Sequence, residues 1–504
     1  MSIAIIYSRA VSGVSAPLVT VEVHISKGLP RLNIVGLPEA AVKESKDRVR
    51  SAIMNTHFEY PRRRITINLA PADLPKEGGR FDLPIALGIL VASGQIPQNL
   101  VCNYEFIGEL ALSGELRFVR GVLPVVLATK KTDRFLIVPD SNSLEASLVN
   151  NNRVYSAKHI LDVCAHFQSQ NKLTLCKKTT LAENQNDTFD LSDVKGQPYA
   201  KRAIEIAAAG KHSILFIGPP GTGKTMLANR LSGISPNLTD DRALEVAAIY
   251  SISRGGFDLS NWLISPFRSP HHSISSVALV GGGRPPKPGE ISLAHQGILF
   301  LDELPEFSRQ VLESLREPLE SGRITISRAS YQESFPCDFQ FVAAMNPCPC
   351  GYFNGLNNNC NCTSEQIRRY LAKISGPLLD RLDMHIEVSS VPSDVLLKAK
   401  KIDSEKSDIV RKRVILARQV QLLRQCKLNQ HMTTEDLDNF CVLKQDAKSL
   451  LSQAMRKFNF TARTYHRILK LARTIADLGG SEQIFIEHIS EAFLYRCLDR
   501  LKIN

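Results

Sequence analysis

An apolar strand, a glycine-rich loop and a helix start follow one another in ILFIGPPGTGKTML, and this stretch constrains the fold more than any other. The loop, Gly218–Thr225, fits the pattern G-x-x-x-x-G-K-[S/T] completely. Glycines let backbone N–H groups surround phosphate oxygens, and the helix N-terminus faces the negative charge of the phosphates. A chance glycine-rich turn would lack the flanking strand and helix, so the sequence predicts a phosphate-binding loop in an α/β domain.

We expect the nucleotide phosphates to be held by the consecutive loop residues Gly218, Pro219, Pro220, Gly221, Thr222, Gly223, Lys224 and Thr225. Lys224 would reach the β- and γ-phosphates of ATP, and Thr225 would bind Mg²⁺. Further along, GILFLDEL is an apolar strand that ends in two acids. Asp302 is suited to hold Mg²⁺, and Glu303 is suited to polarise the attacking water. Such an acid pair alone often marks only the solvent-exposed end of a strand. Together with the phosphate-binding loop, it predicts a hydrolytic centre.

Two later polar residues extend this hydrolytic centre. Asn346 ends the strand in FQFVAAMNPCP, where its amide would orient water against the γ-phosphate; an Asn-Pro turn is the alternative. Arg381 stands between two acids in GPLLDRLDMHIEV. It would stabilise transition-state charge at a neighbouring subunit's γ-phosphate, as an arginine finger does. From this stretch alone, a surface salt bridge is the better interpretation of Arg381.

At 504 residues the chain is too long for a single core, and its pattern predicts an α/β multidomain protein. Residues 1–167 alternate strand-like and helical runs, and the polar stretch 168–190 is typical of a linker. Residues 191–390 carry the strand–loop–helix units that form the ATPase core. Residues 391–504 show helical spacing and predict a helical lid.

Composition narrows the class of partner and compartment. The net charge of +12 and pI near 9.1 favour a polyanion such as nucleic acid, although a merely basic soluble protein is equally compatible. We expect no membrane partner and a cytoplasmic location, because no apolar run reaches about 18 residues and no signal peptide precedes the first strand. The odd count of 11 cysteines argues against a disulfide framework and leaves metal binding or burial.

Four of the cysteines form two Cys-x-Cys pairs in CPCGYFNGLNNNCNC. Their thiolates could form a tetrahedral Zn²⁺ site with Cys348, Cys350, Cys360 and Cys362 as ligands. Such a site would rigidify the segment between Asn346 and Arg381. Free thiols in a turn remain the alternative, because Cys-x-Cys is tighter than the usual Cys-x₂-Cys spacing.

The order of these motifs resembles an AAA+ ATPase. The stretch SPFRSPHHSISSVALVGGGRPPKPGEISLAHQGILFLDELPEF is similar to the magnesium-chelatase-type branch, and nearly the whole chain resembles the ComM/YifB group of bacterial magnesium-chelatase-like proteins. The resemblance implies a hexameric ATP-dependent helicase that promotes DNA branch migration during homologous recombination in natural transformation. It also implies that Arg381 acts in trans, that Arg463 in TARTYHR is a sensor 2 residue, and that Val194 and Gln197 border the adenine pocket.

Two insertions would face DNA in a ring of such subunits. FRSPHHSISSVALVGGGRPPKPGE favours a projecting loop, and SGRITISRASYQESFPCDF alternates like a hairpin. Basic residues in them would grip a phosphate backbone without reading sequence: Arg268, Arg284, Lys287, Arg323 and Arg328. Arg328 resembles a hairpin residue of MCM helicases, and solvated surface cations are the alternative for the whole set. His271 and His272 are adjacent, which makes a loop role more favourable than metal chelation.

The N-terminal block resembles the Lon-protease-like domain of the ribosomal S5-type fold, in LPKEGGRFDLPIALGIL and IGELALSGELRFVRGVLP. Where Lon enzymes carry a Ser nucleophile and a Lys base, this chain has Arg80 and Leu123, which predicts no peptidase activity. A ring-forming or DNA-binding collar is the expected role. Its basic set is compatible with DNA or with strand-edge protection: Arg62, Arg63, Arg64, Lys76 and Arg80.

Three functions are compatible with these features. The first is a motor that hydrolyses ATP with Mg²⁺ and moves single-stranded and branched DNA through a homo-oligomeric, hexameric ring. The second is a chelatase-type or chaperone-type AAA+ remodeller of a protein partner. The third is a DNA-binding module in which ATP hydrolysis only switches affinity.

Overall fold

The computed structural model describes residues 3–36, 40–168, 171–177, 189–284, 286–328, 331–353, 360–391, 405–458 and 460–498. It divides the chain into two compact units. Unit 1 comprises Met1–Asn184 and Asp240–Trp262, and unit 2 comprises Gln185–Thr239 and Leu263–Asn504. Within the described ranges, no helix combines the length and the apolar character needed to cross a membrane.

The strands are, in chain order, β1 Ile3–Arg9, β2 Leu18–Ser26, β3 Arg31–Val35, β4 Arg64–Ala70, β5 Tyr104–Phe106, β6 Glu109–Leu110, β7 Leu116–Arg117, β8 Phe135–Pro139, β9 Val154–Ala157, β10 Thr174–Leu175, β11 Ile214–Ile217, β12 Phe267–Arg268, β13 Gly281–Gly282, β14 Lys287–Pro288, β15 Ile298–Leu301, β16 Arg323–Arg328, β17 Tyr331–Pro336, β18 Gln340–Met345 and β19 Met384–Glu387.

The helices are α1 Ala40–Asn55, α2 Asp82–Ala92, α3 Gln98–Val101, α4 Val122–Thr129, α5 Ser143–Ser147, α6 Ile160–Phe167, α7 Pro198–Gly210, α8 Lys224–Ile234, α9 Asp240–Ile252, α10 Ser276–Val280, α11 Glu290–Leu293, α12 Arg309–Ser314, α13 Pro318–Ser321, α14 Ser364–Leu371, α15 Gly376–Leu379, α16 Ser407–Gln425, α17 Thr434–Phe440, α18 Gln445–Phe458, α19 Ala462–Leu478 and α20 Ile486–Leu494.

Unit 1 is built on a mixed eight-stranded sheet of order β10-β9-β8-β5-β1-β2-β4-β3. The apolar residues of β2 alternate along the chain, so one face of the strand is buried and the other is half-exposed. The fully buried helix α2 packs on β1 and β2. A Cβ on its Gly88 would lie 2.5 Å from Val23 Cγ2, which explains why the close approach needs glycine. Helix α9 packs on α4 inside this unit.

The structure corrects one member of the predicted basic set of this unit. Lys76 is fully buried, and its ammonium donates to the carbonyl of Pro71. Burial lowers the pKa of Lys76, partly opposed by Asp73. Lys76 therefore fits neither interpretation of the set, because an interior ammonium can neither reach a phosphate backbone nor protect an exposed strand edge. Arg62, Arg63 and Arg64 are exposed.

Unit 2 has a five-stranded parallel sheet of order β12-β15-β18-β11-β19. Its inner strands β11, β15 and β18 are continuous buried apolar runs, as a parallel sheet covered on both faces requires. Helices α7, α16 and α19 pack together beside the sheet. The predicted α/β core and the helical C-terminal region are confirmed.

Polar contacts also hold the C-terminal helices together. Arg473 in α19 lies 3.0 Å from Asp477 one turn later, and Arg424 of α16 lies 2.6 Å from the same carboxylate. Asn429 donates to Asp477 as well, at 2.8 Å. Because a buried charge is costly unless paired and hydrogen-bonded, this network fixes how α16 and α19 meet.

Both predicted insertions contain paired strands. The stretch SGRITISRASYQESFPCDF forms the antiparallel hairpin β16–β17, with Arg323 opposite Pro336 and Arg328 opposite Tyr331. In the earlier insertion, β13 and β14 pair antiparallel between α10 and α11. The predicted hairpin is confirmed.

Candidate nucleotide-binding site

The phosphate loop leaves β11 and enters α8, which begins at Lys224. Gly221 and Gly223 have φ angles of +76° and +83°, in the left-handed region that glycine adopts without strain. A Cβ on Gly218 would lie 2.2 Å from the carbonyl oxygen of Val388. Larger residues are therefore excluded from the start of the loop, and the cradle fits a nucleotide phosphate.

The ammonium of Lys224 lies inside this loop. Its Nζ donates to the carbonyls of Gly218 at 2.7 Å and Pro219 at 2.8 Å, and to Asn346 Oδ1 at 3.1 Å. Burial lowers the pKa of Lys224, while Asp302 and Glu303 oppose that shift. The loop lysine and the asparagine predicted from a distant strand are thus in direct contact.

The predicted Mg²⁺ residues also meet. Thr225 Oγ1 donates to Asp302 Oδ2 at 2.6 Å, and the other oxygen of Asp302 accepts the backbone N–H of Glu303 at 2.9 Å. This contact arises because β11, β18 and β15 are parallel neighbours, so the residues after them share one edge of the sheet. A hydroxyl and a carboxylate side by side are the oxygen ligands that Mg²⁺ prefers.

Glu303 has a neighbour that the sequence analysis assigned only to a loop. His272 Nδ1 lies 3.4 Å from Glu303 Oε2, and the two histidine rings, His271 and His272, are 4.0 Å apart. Glu303 itself has a left-handed φ of +53° and a half-exposed carboxylate. The signal for this contact was available: the histidines follow β12, which lies next to β15 in the parallel sheet.

A separate cavity of about 380 Å³ is suited to the base. Gln197 lines it at the start of α7, with residues 387–391 on the other side. The Gln197 amide donates to Thr222 O at 2.8 Å and to Ser389 O at 3.3 Å, which ties this pocket to the phosphate loop. Val194 is buried in the core of unit 2 and is not among the lining residues.

Arg381 and Arg463 converge on one acid away from the phosphate loop. Arg381 Nη2 lies 2.6 Å from Glu320 Oε1, and Arg463 Nη2 lies 2.8 Å from the same oxygen. Burial tends to raise the pKa of Glu320, but the two guanidinium groups hold it below its usual value. The three residues line a cavity of about 880 Å³ to which no phosphate-loop residue contributes.

The four predicted metal-binding cysteines form one cluster. Their Sγ atoms all lie within 4.8 Å of one another. Among the residues that the structure describes, this is the only group of three or more His, Cys, Asp or Glu side chains with ligand atoms so placed. The cluster could bind zinc.

The predicted DNA-contact residues have different surroundings. Arg268 makes two bonds to Glu290, at 2.6 and 2.8 Å. Arg323 is exposed at the start of β16 and donates to Ser334 Oγ at 3.3 Å. Arg284 is exposed and Lys287 in β14 is half-buried. The backbone of Arg328 ends β16, and its side chain lies outside the described residues.

The parallel sheet, phosphate loop and acidic strand end define the core of a P-loop nucleotide-binding protein. Family models match residues 190–396 (magnesium chelatase, subunit ChlI), 21–142 (subunit ChlI of Mg-chelatase) and 404–496 (magnesium chelatase, subunit ChlI C-terminal). The chain is 52% identical to the competence protein ComM of Haemophilus influenzae, over 99% of both chains. It is 49% identical to YifB of Escherichia coli, over 100% of this chain and 99% of the relative.

A more distant similarity, 24% identity over 60% of this chain and 34% of the relative, links it to the DNA helicase MCM8 of Bos taurus. The chain belongs to the ComM/YifB group of magnesium-chelatase-like AAA+ proteins. Membership of this family implies that nucleotide and Mg²⁺ are cofactors and that the protein is an ATPase. The phosphate loop fits the nucleotide, and Thr225 with Asp302 fits Mg²⁺.

Proposed function

We propose that this protein is a hexameric, ATP-hydrolysing DNA motor that promotes branch migration during recombination in natural transformation, in the cytoplasm. The observation that carries the proposal is the division of the ATPase residues between two places in unit 2. Lys224, Asp302 and Asn346 meet at the sheet edge, whereas the Arg381 guanidinium, among the described residues, bonds to Glu320 and to the carbonyls of Arg316 and Pro377. An ATPase centre divided in this way is complete only when a second subunit supplies its arginine.

Each residue at the sheet edge has a defined task in hydrolysis. Lys224 and the loop N–H groups bind the phosphates, and Thr225 with Asp302 would hold Mg²⁺, which supplies positive charge to the transferring phosphoryl group. Glu303 accepts the proton of the attacking water, and Asn346 orients that water. His272 lies close enough to Glu303 to position its carboxylate.

Arg381 and Arg463 act on the nucleotide of the adjacent subunit. In the single chain both guanidinium groups pair with Glu320, so they are held near each other before assembly. Contact with a neighbour's phosphates would compete with that acid for both guanidinium groups. ATP would then favour ring assembly, because ligand bound between subunits stabilises the assembled state.

The basic insertions are the proposed DNA contacts. Arg284 and Arg323 are exposed, and β16–β17 forms an arm that carries Arg323 and Arg328. Such cations grip single-stranded and branched DNA through phosphates, independently of sequence. The names of the relatives support this choice, since one is a competence protein and a distant one is a DNA helicase. Arg268 is the weakest member, because Glu290 already neutralises it.

We assign residues 1–167 to a Lon-protease-like domain without the catalytic dyad, 168–190 to the linker, 191–390 to the ATPase core and 391–504 to the lid. The structure departs from these bounds in two places, because β10 pairs with β9 in the sheet of unit 1 and Asp240–Trp262 also belongs to unit 1. Arg80 donates to Arg120 O at 2.7 Å, and Leu123 is fully buried. A guanidinium and a buried leucine supply neither nucleophile nor base. The domain would serve as a collar that helps form the ring or hold DNA.

The test is ATP hydrolysis by the full chain with no DNA, with single-stranded DNA and with a four-way junction. Strong stimulation by DNA that is lost in Glu303→Gln is expected, followed by branch migration of the junction. Turnover that is equally fast without DNA would overturn the motor and favour a chelatase-type or chaperone-type remodeller of a protein. DNA-stimulated turnover without strand displacement would instead indicate a binding module switched by hydrolysis.

A further inference from the structure

The cysteine cluster has the dimensions of a zinc site. Sγ of Cys348 lies 3.3 Å from that of Cys350 and 3.7 Å from that of Cys360, and Cys350 and Cys360 are 3.5 Å apart. Four sulfurs at about 2.3 Å from a tetrahedral Zn²⁺ lie roughly 3.8 Å from one another. Four thiolates with no oxygen or imidazole ligand select a soft ion such as Zn²⁺ and leave no position open for catalysis.

The backbone around the first pair is shaped to present sulfur. Cys348 is fully buried, and its Sγ accepts the N–H of Phe353 at 3.3 Å. Gly351 closes the turn with its N–H on Cys348 O at 3.0 Å, and its φ of +87° favours glycine. N–H donation to sulfur stabilises a thiolate, as metal ligation requires.

The same turn packs on the phosphate loop. A Cβ on Gly351 would lie 2.7 Å from Pro220 Cδ, so the turn and the loop are in direct contact through a glycine. Asn346, which accepts from Lys224, stands two residues before Cys348. The first two sulfur ligands are therefore attached to the wall of the ATP site.

The second pair returns the chain to the same place. Helix α14 begins directly after Cys362, with Thr363 and Gln366 in a reciprocal capping box. Tyr370, in the last turn of α14, has a hydroxyl whose pKa burial raises to about 12, partly opposed by the backbone of Asn346. Both cysteine pairs therefore adjoin elements that lie near Asn346, the first two residues after it and the second just before α14.

We propose that Cys348, Cys350, Cys360 and Cys362 bind one structural Zn²⁺, and that this ion holds Asn346 and the phosphate loop in the geometry needed for ATP hydrolysis. The metal site stands on the sulfur geometry alone, whereas the effect on hydrolysis rests on the proposed ATPase function. Without the ion, most of the four sulfurs would take up protons, because adjacent thiolates repel one another, and the turn that contacts Pro220 would lose its anchor.

The first experiment measures metal in the full chain, purified under reducing conditions without chelators. We expect one zinc per chain, released on titration with a mercurial thiol reagent. Cys360→Ser should lose it, and Cys426→Ser, at an exposed cysteine outside the cluster, should keep it. Cys362→His should retain zinc, because imidazole is also a zinc ligand. Wild-type protein that remains zinc-free after incubation with Zn²⁺, or that carries disulfides at these cysteines, would overturn the site.

A second experiment tests the link to hydrolysis. Removal of zinc with a chelator should lower kcat by about 10- to 100-fold while the affinity for a fluorescent ATP analogue changes little, since the ion positions water-orienting groups. Restoring Zn²⁺ should restore kcat. An unchanged kcat after complete zinc removal would refute the positioning role and leave the metal site standing. A zinc-loaded wild type without any ATPase activity would instead refute the proposed function.

Discussion

The central sheets of the two units use polar residues differently. In unit 1 the sheet is mixed, and its buried charges are paired inside: Arg9 lies 2.5 Å from Glu105, which also accepts from Thr129 at 2.8 Å. In unit 2 the sheet is parallel, so the residues after several strands meet at one edge. Asp302, Glu303 and Asn346 are there partly exposed. Around these two sheets, strand direction thus decides whether polar groups at strand ends meet in one site.

The largest effect, a loss of kcat, is expected from a substitution of Arg381 in unit 2. Arg381→Ala should lower kcat by about 10³-fold while ATP binding is kept, because an arginine finger acts only on the transferring phosphoryl group. Arg369→Ala is the matched control, at an exposed arginine paired with Glu365 nearby. Mixing Arg381→Ala with Glu303→Gln should restore turnover at interfaces that combine an intact Arg381 with an intact Glu303. No recovery in mixed rings would contradict action between subunits.

In unit 1 the corresponding prediction concerns stability. Glu105→Gln should lower the free energy of unfolding by about 3 kcal/mol, because Arg9 would stay buried beside a neutral amide. Exposed Glu59→Gln should change it little. Chemical denaturation with a probe in unit 1 measures both variants. Equal stabilities would mean that the buried pair contributes nothing and that the contrast between the units is weaker than it looks.

Sequence patterns indicated which residues would lie near one another at the sheet edge, because strand ends place them there. A loop, an acidic strand end and an Asn-ended strand are each local signals, and parallel pairing brings them together without further information. The sharing of Glu320 by Arg381 and Arg463 had no such signal, since Arg463 is 143 residues from its partner. It depends on how the C-terminal helices pack on the core.

Two other features show the same limit. Lys76 belongs to a basic set compatible with DNA or with strand-edge protection, yet the fold buries it against Pro71 O, a contact that depends on the local path of the backbone. Helix α9 follows α8 in sequence but packs with unit 1, where Ala247 joins the cluster around Val122. The periodicity of apolar residues predicts that such a helix exists. It does not show which of two apolar surfaces the helix packs against.

A smaller effect is expected from a substitution of Glu303 in unit 2, and a substitution of Arg80 in unit 1 provides the comparison. Glu303→Gln should lower kcat by about 100-fold with ATP binding retained, because the amide cannot accept a proton from water. Arg80→Ala, at the place of the lost nucleophile in unit 1, should leave ATP turnover unchanged. Steady-state ATPase assays with nucleotide binding measured in parallel check both. Casein cleavage by the wild type would contradict the assignment of unit 1 as catalytically inactive.

The smallest predicted effect is an opposite response of the two units to pH. Burial raises the pKa of Asp82 in unit 1 to about 6, despite its bond to Arg48, so its protonated form is favoured in the folded state. Unit 1 should therefore lose stability as pH rises from about 4 to 6. In unit 2, burial would raise the pKa of Asp338, but Lys211 at 2.7 Å and His431 hold it at about 2. That stabilisation is present above pH 4 and is lost as pH falls towards 2.

Each shift corresponds to roughly 2 to 3 kcal/mol. Hydrogen exchange resolved by segment, between pH 3 and 6.5 and corrected for intrinsic rates, separates the two units. We expect protection of α2 to fall with rising pH and protection of β18 to rise. Asp82→Asn should flatten the first profile and leave the second unchanged, with Asp338→Asn doing the reverse. Parallel profiles in both units would show that neighbouring charges, rather than these two buried carboxylates, set the pH dependence of the fold.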